Sequence, residues 1–227
     1  MNPRRNRRII EVLERRQPDL TVIMERVHKP HNLSAVVRSC DAVGVLDVHA
    51  VPAEGGLGGL HRDTSGGSNR WIRLHRHREV TDAIDALHAS GHQVVAAHPS
   101  DEAVSFREID YTRPTAVLLG AELDGVSQGA LDRVDHTAVI PMAGMVQSLN
   151  VSVAAALFLF EAQRQREEAG AYDACRLDSD TFQRLRFEWS WPRLARGFRE
   201  QGLPYPALDE DGNVLGDVTP VTRPGGD

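Results

Sequence analysis

Apolar residues first recur at helical spacing near the start of the chain. Ile9, Ile10 and Leu13 share one side of residues 3–16, while Arg4, Arg8 and Arg15 project within roughly 40° of one another at ~100° per residue. An apolar run at 20–27 and a polar loop at 28–31 follow. Asn32 is placed to cap a helix that runs to about residue 43, where Gly44 closes it. Short strand-like runs at 45–51, 71–74, 93–97, 116–119 and 137–141 are separated by stretches that include helical patterns at 80–89 and 128–134. Strands alternating with helices predict an α/β domain with a mainly parallel sheet and helices on both faces. The glycine-rich piece 54–59 reads as a flexible loop, and Gly66, Gly67 and Ser68 as a turn. A long helix is predicted from about residue 150 to 168, ending near Gly170. Residues 178–201 are amphipathic and carry Phe182, Leu185, Phe187, Trp189, Trp191 and Leu194. The stretch after Pro204 predicts extended, loosely held chain. The layout is a basic N-terminal helical arm at 1–18, an α/β domain at 19–170, a C-terminal helical extension at 171–206 and a flexible acidic tail at 207–227.

Composition narrows the class. With 227 residues and 41% apolar content, the chain can bury one full domain plus terminal appendages. No run of ~18 apolar residues is present, and the basic N-terminus lacks the apolar stretch of a secretory signal. A cytoplasmic protein with no membrane association is expected. Cys40 and Cys175 lie far apart without CxxC spacing, and the ten histidines form no short-spaced zinc pattern with them. Free thiols and no metal are expected. The net charge of −6 argues against a wholesale basic nucleic-acid binder. Its distribution changes the picture: residues 1–16 carry six arginines against two glutamates, while 207–227 carry five acids against Arg223. A local basic patch on an acidic protein is therefore possible.

Three segments carry candidate chemistry. In the first, Asn32 and Arg38 are nearly two helical turns apart and project from similar faces. Arg38 among small apolar neighbours needs a partner, because its guanidinium stays charged; a structural salt bridge and a catalytic contact both satisfy that need. The second, Leu118-Leu-Gly120-Ala-Glu122-Leu-Asp-Gly125, leaves the carboxyl end of a strand, where α/β proteins form ligand sites. Gly120 and Gly125 permit close backbone approach. Glu122 fits either a solvated turn or a contact to a ribose, a base edge or an arginine. The third, Ile140-Pro-Met-Ala-Gly144-Met-Val-Gln-Ser148-Leu-Asn150-Val-Ser152, also runs off a strand into a helix start. Capping accounts for one of its polar side chains, and Ser148 together with Asn150 exceeds what one cap requires. Neither GxGxxG nor a Walker sequence is present.

Taken together, in this order and over about 120 residues, these segments resemble the three motifs of the SPOUT superfamily, in its SpoU/TrmH branch of RNA 2′-O-ribose methyltransferases. Asn2-Pro3, residues 16–21, His28-Lys-Pro-His-Asn32 and Gly202-Leu-Pro-Tyr-Pro206 extend the resemblance to the tRNA (guanosine-2′-O)-methyltransferases of that branch, which act on the guanosine at position 18 of the D-loop. The resemblance implies a deep trefoil knot in the C-terminal half of the domain, a homodimer, S-adenosylmethionine as cofactor and tRNA as substrate. It implies that Arg38, Asn32, Glu122, Ser148 and Asn150 form the catalytic set. Ala97, Gly120, Ile140 and Leu149 would hold the cofactor, with Met145 packing nearby. In this family the catalytic arginine meets the cofactor across the dimer interface. Arg8, Arg16, His31, Arg164 and Arg166 are the candidate RNA contacts, each equally consistent with a solvated face. Two other readings are a ribosomal-RNA 2′-O-methyltransferase and a non-catalytic tRNA-binding protein on the same fold.

Overall fold

The computed structural model describes residues 1–52 and 70–222, so the predicted loop at 54–59 and turn at 66–68 lie outside the described residues. The chain divides into two compact units, one of Gln17–Tyr172 and the other of Met1–Arg16 with the chain from Asp173 onward.

The larger unit is a seven-stranded sheet made of β1 (Leu20–Glu25), β2 (Asp47–Val51), β3 (Arg73–Arg76), β4 (Gln93–Ala97), β5 (Val104–Ser105), β6 (Thr115–Leu119) and β7 (His136–Val139). Its order is β3-β2-β1-β6-β4-β7-β5, and every pairing is parallel. The two-residue β5 was too short to be read from periodicity. Successive side chains alternate between faces, and the core divides accordingly. Leu20, Val22 and Met24 of β1, with Val117 and Leu119 of β6, join one cluster with α2 (Pro30–Ala42) and α5 (Val151–Glu168). Ile23, Ala116 and Leu118 from the same strands pack on the other face with α3 (Val80–Ala89) and Ala130 of α4 (Gln128–Leu131). Burial on both faces is why these strands read as continuous apolar runs.

Several helix ends follow local rules. Gly44 and Gly170 take φ of 85° and 73° just beyond α2 and α5, the left-handed conformation that closes a helix most readily with glycine. The start of α2 departs from expectation. Pro30 occupies its first turn, Lys29 is the N-cap residue, and Asn32 lies inside the helix rather than capping it. Proline's fixed φ starts the helix three residues early and frees the Asn32 side chain for other work.

The far end of α5 is held by a buried cation. Arg166 is 0% exposed, and its guanidinium donates to Tyr111 O, Gln17 Oε1, Asp19 Oδ1, Asp19 O and Arg113 O at 2.6–3.2 Å. This planar fork joins the approaches to β1 and β6 to the last turn of the helix.

In the smaller unit, α1 (Pro3–Glu14) buries Asn6, Ile9 and Leu13 and packs on α6 (Ser179–Ser190). The N-terminal segment is thus a built-in element of this unit and not a free arm. The predicted helix at 178–201 is two helices, α6 and α7 (Pro192–Glu200), because Pro192 removes a donor and restricts the residue before it. The expected flexible tail is also corrected: β8 (Ala207–Leu208) and β9 (Val214–Leu215) form a hairpin. Leu208, Val214, Val218 and Val221 pack on Phe187, Ala195 and Phe198. Gly212 at φ 80° tightens this hairpin; a Cβ there would lie 2.6 Å from Asn6 Oδ1.

Replacing Arg166 with Leu strips the donor from five acceptors. The larger unit should lose about 3–5 kcal/mol of stability, measured by urea unfolding of purified protein. A loss under about 1 kcal/mol would show that the buried fork is dispensable.

Candidate active site

Three loops leave the carboxyl ends of β4, β6 and β7 and enclose a cavity of about 560 Å³, within the usual range for a small-molecule site. Its wall includes Ala97 and His98 after β4, residues 119–125 after β6, residues 138–140 with Met142 after β7, and residues 147–151 at the start of α5; Lys29, Ala154 and Phe158 complete it.

The β6 loop is shaped by two glycines. Ala121 and Gly125 exchange backbone hydrogen bonds at 3.0 and 2.9 Å, and a Cβ on Gly120 would sit 2.1 Å from Gly125 C. No side chain fits there. Beyond the turn, the buried Glu25 at the end of β1 accepts a hydrogen bond from Ser127 N at 3.0 Å, fixing where the loop leaves.

The polar groups converge from distant parts of the chain. Asn32 Nδ2 donates to Glu122 Oε1 at 2.6 Å, and Asn150 Nδ2 donates to Asn32 Oδ1 at 3.2 Å. Asn150 Oδ1 meanwhile accepts from Ser152 N and Oγ, so one side chain both caps α5 and joins the network. Burial would raise the Glu122 carboxyl, but it is outweighed by the Asn32 hydrogen bond, a backbone N–H and the charges of His28 and Lys29; the group is held below the usual carboxylate range. Glu122 is therefore an anion at neutral pH. Its Oε2 has no hydrogen-bond partner, and the His28 imidazole Nδ1 lies 3.3 Å away. An anion with an unused acceptor atom is ready for a donor supplied from outside the chain.

Not every sequence candidate gathers here. Glu122, Ser148, Asn150, Ala97, Gly120, Ile140 and Leu149 line the cavity, and Asn32 stands behind Glu122. Met145 does not: it is fully exposed, and Met142 lines the wall instead. Arg38 is exposed on α2, absent from the cavity wall and without a hydrogen bond or ion pair among the described residues. Of the RNA candidates, Arg166 is committed to the core. Arg16 is also 0% exposed, its guanidinium 5.1 Å from the Trp189 ring centroid. Burial removes both from any RNA surface. Arg164 is exposed but bridged to Glu161 and Glu168 on its own helix, and Arg8 pairs with Glu11. His31 is exposed. Sequence reasoning assigned no role to His28, Lys29, His98 or Met142. For the first two a signal existed, since the segment His28–Asn32 had been singled out whole.

Residues 19–160 match the SpoU rRNA Methylase family, and residues 164–217 match the SpoU, rRNA methylase, C-terminal family. The chain belongs to the SpoU methylase family. Among its relatives is a tRNA (guanosine(18)-2'-O)-methyltransferase of Escherichia coli (strain K12), 52% identical over 220 residues and covering 96% of each chain. The crystal structure of an Aquifex aeolicus TrmH/SpoU tRNA modifying enzyme superposes with a TM-score of 0.79 at 43% identity, over 83% of this chain and 96% of that one. An AdoMet-bound rRNA methyltransferase from Sinorhizobium meliloti superposes at 0.59 with 31% identity, over 68% of this chain and 59% of that one. Of the three segments read from the sequence, the second and third line one cavity, and Asn32 of the first reaches it through Glu122.

Gly120→Ala in this SpoU methylase should force the 121–125 turn open, because backbone atoms cannot yield as a flexible side chain does. A loss of about 1–3 kcal/mol in denaturant unfolding is expected. Wild-type stability with unchanged backbone chemical shifts at residues 119–126 would show that the turn is not as tight as its geometry requires.

Proposed function

We propose that this chain transfers a methyl group from S-adenosylmethionine to the ribose 2′-hydroxyl of a tRNA guanosine, at position 18 of the D-loop. We further propose that it works in the cytoplasm as a homodimer with a knotted β6–α5 region. The observation that carries the reading is the convergence of Asn32, Glu122 and Asn150 at a cavity built from the loops after β4, β6 and β7. The fit to the cofactor is chemical: the cavity is the right size, apolar and polar side chains share its wall, and the glycine turn exposes main chain to a ligand. Ala97, Gly120, Ile140 and Leu149 would hold it. Bound there, the cofactor supplies an electrophilic methyl group.

The 2′-oxygen would displace that methyl group from its sulfur, and the hydroxyl proton must leave. This chain's residues align and polarise the hydroxyl, which is a poor nucleophile. A guanidinium holds its proton in proteins, so Arg38 acts by binding the RNA phosphate beside the ribose, and that phosphate accepts the proton or orients the hydroxyl. Glu122, with Asn32, Ser148 and Asn150, orients Arg38 and the ribose. A second subunit supplies what one subunit lacks. Arg38 lies off its own cavity, and Val153, Leu157 and Phe160 leave an exposed apolar stripe on α5; Leu123 and Val146 in the cavity loops are exposed as well. Exposed apolar side chains grouped on one helix face suit an interface. Among the described residues no helix is long and apolar enough to cross a membrane, and no His, Cys, Asp or Glu group is placed to hold a metal.

Arg38→Ala should lower turnover on unmodified tRNA at least ~100-fold while leaving cofactor affinity within twofold. Paired with a Leu149→Arg subunit that cannot bind cofactor, the Arg38→Ala subunit should regain activity at one of two sites. Mixed dimers that stay inactive, although each variant folds and dimerises, would refute the shared site. Wild-type turnover by Arg38→Ala alone would refute its catalytic role.

A further inference from the structure

Beyond the catalytic set, the carboxyl edge of the sheet carries several exposed cations that make no ion pair among the described residues. All strands are parallel, so β3, β2, β1 and β6 end along the same edge as the cavity. Backbone pairing sets the level: His77 N donates to Ala50 O at 3.0 Å, and Arg26 N donates to Val51 O at 2.9 Å. Neighbouring strands are ~4.8 Å apart. Arg76 and Arg78 at the end of β3 and Arg26 at the end of β1 therefore lie within a few strand widths of one another. The β1–α2 loop then brings Lys29 into the cavity wall.

All four side chains belong to exposed residues, and none makes an ion pair or hydrogen bond among the described residues. Their neighbours differ. Asp47 is occupied by Arg73 at 2.5 Å and His75 at 2.6 Å, and Glu25 is buried and bonded to Ser127 N. Among the described residues, Glu79 and Asp82 are exposed at the start of α3, and the charge of Lys29 acts on Glu122. Arg26 adds a second observation. It is the one non-glycine among the described residues with positive φ, at 53°. A side chain in that conformation is held against its local preference, and such residues collect at functional sites.

We propose that Arg78, Arg76 and Arg26 form a phosphate track that guides the RNA strand flanking the target ribose into the cavity, with Lys29 at its mouth. This rests on the tRNA-methyltransferase reading and specifies which surface carries the substrate's backbone. A chain of net charge −6 repels polyanions at long range, so it needs a local stripe of unbalanced cations to hold one. Arginines at the ends of β3 and β1, two strand spacings apart, suit phosphates of one strand, which position a nucleic acid without reading its sequence. The ion pairs at Arg8 and Arg164 leave those sites weaker claims on phosphate.

The test uses full-length dimer carrying Arg26→Ala, Arg76→Ala and Arg78→Ala together, with unmodified tRNA transcript as the probe. The wild type must first methylate that transcript; failure there overturns the functional reading and not the track. The salt dependence of tRNA affinity should then flatten by about 2 in log–log slope for the triple variant. KM for tRNA should rise about tenfold or more, with kcat at saturating tRNA and cofactor affinity unchanged. The triple Arg→Lys variant should restore most of the slope, because phosphate neutralisation needs charge more than a fork. As control, Arg107→Ala removes an exposed arginine that sits over Phe106 and should leave the slope as it is. An unchanged slope in a triple variant that binds cofactor normally overturns the track.

Discussion

The buried guanidinium of Arg166 is the constraint on which the rest of the larger unit depends. A cation taken out of water is tolerable only when every donor finds an acceptor, and here the acceptors come from residues 17–19 and 111–113. Those residues lead into β1 and β6, the central pair of the sheet. The last turn of α5 is thus pinned to the amino ends of the two strands whose carboxyl ends bound the cavity region. At the other end of the helix, Asn150 caps the first turn and reaches Asn32. Between the two, Ala155, Phe158, Leu159 and Ala162 seat the helix on the sheet.

What the sequence made legible divides by the range of the interaction that decides it. The parallel sheet and the helix ends at Gly44 and Gly170 depend on period and turn chemistry within a dozen residues, and these were readable. The fate of a single arginine was not. Arg164 and Arg166 look alike in a polar helical stretch, yet one is exposed and the other lies in the core. The difference is set by carbonyls about fifty and a hundred and fifty residues away. Arg16 follows the same logic, since only folding brings Trp189 to its guanidinium.

Asn32 shows a partial success. Its place in the site was read from a motif, while its local role was read as a cap and was wrong, because Pro30 had already started the helix. A short polar side chain at a helix start fits a cap by default; whether it has a better partner depends on a residue ninety positions away. Met145 is the converse case, exposed while Met142 lines the wall. It belongs to the right segment, but in a loop with no regular period the choice between Met142 and Met145 is made by the path of the backbone.

The geometry of α5 has a mechanical consequence. From Asn150 to Arg166 is about 24 Å of helix at ~1.5 Å per residue. A rod of that length amplifies small errors in its seating: a tilt of ~5° about one end would move the other by about 2 Å, against a tolerance near 0.5 Å for a working constellation. A lesion in the core around Arg166 would therefore act as a lever on the site, displacing Asn150 without touching it. Loss of alignment could then precede loss of fold, and a chain that still passes every test of native secondary structure would already be out of register at its working end.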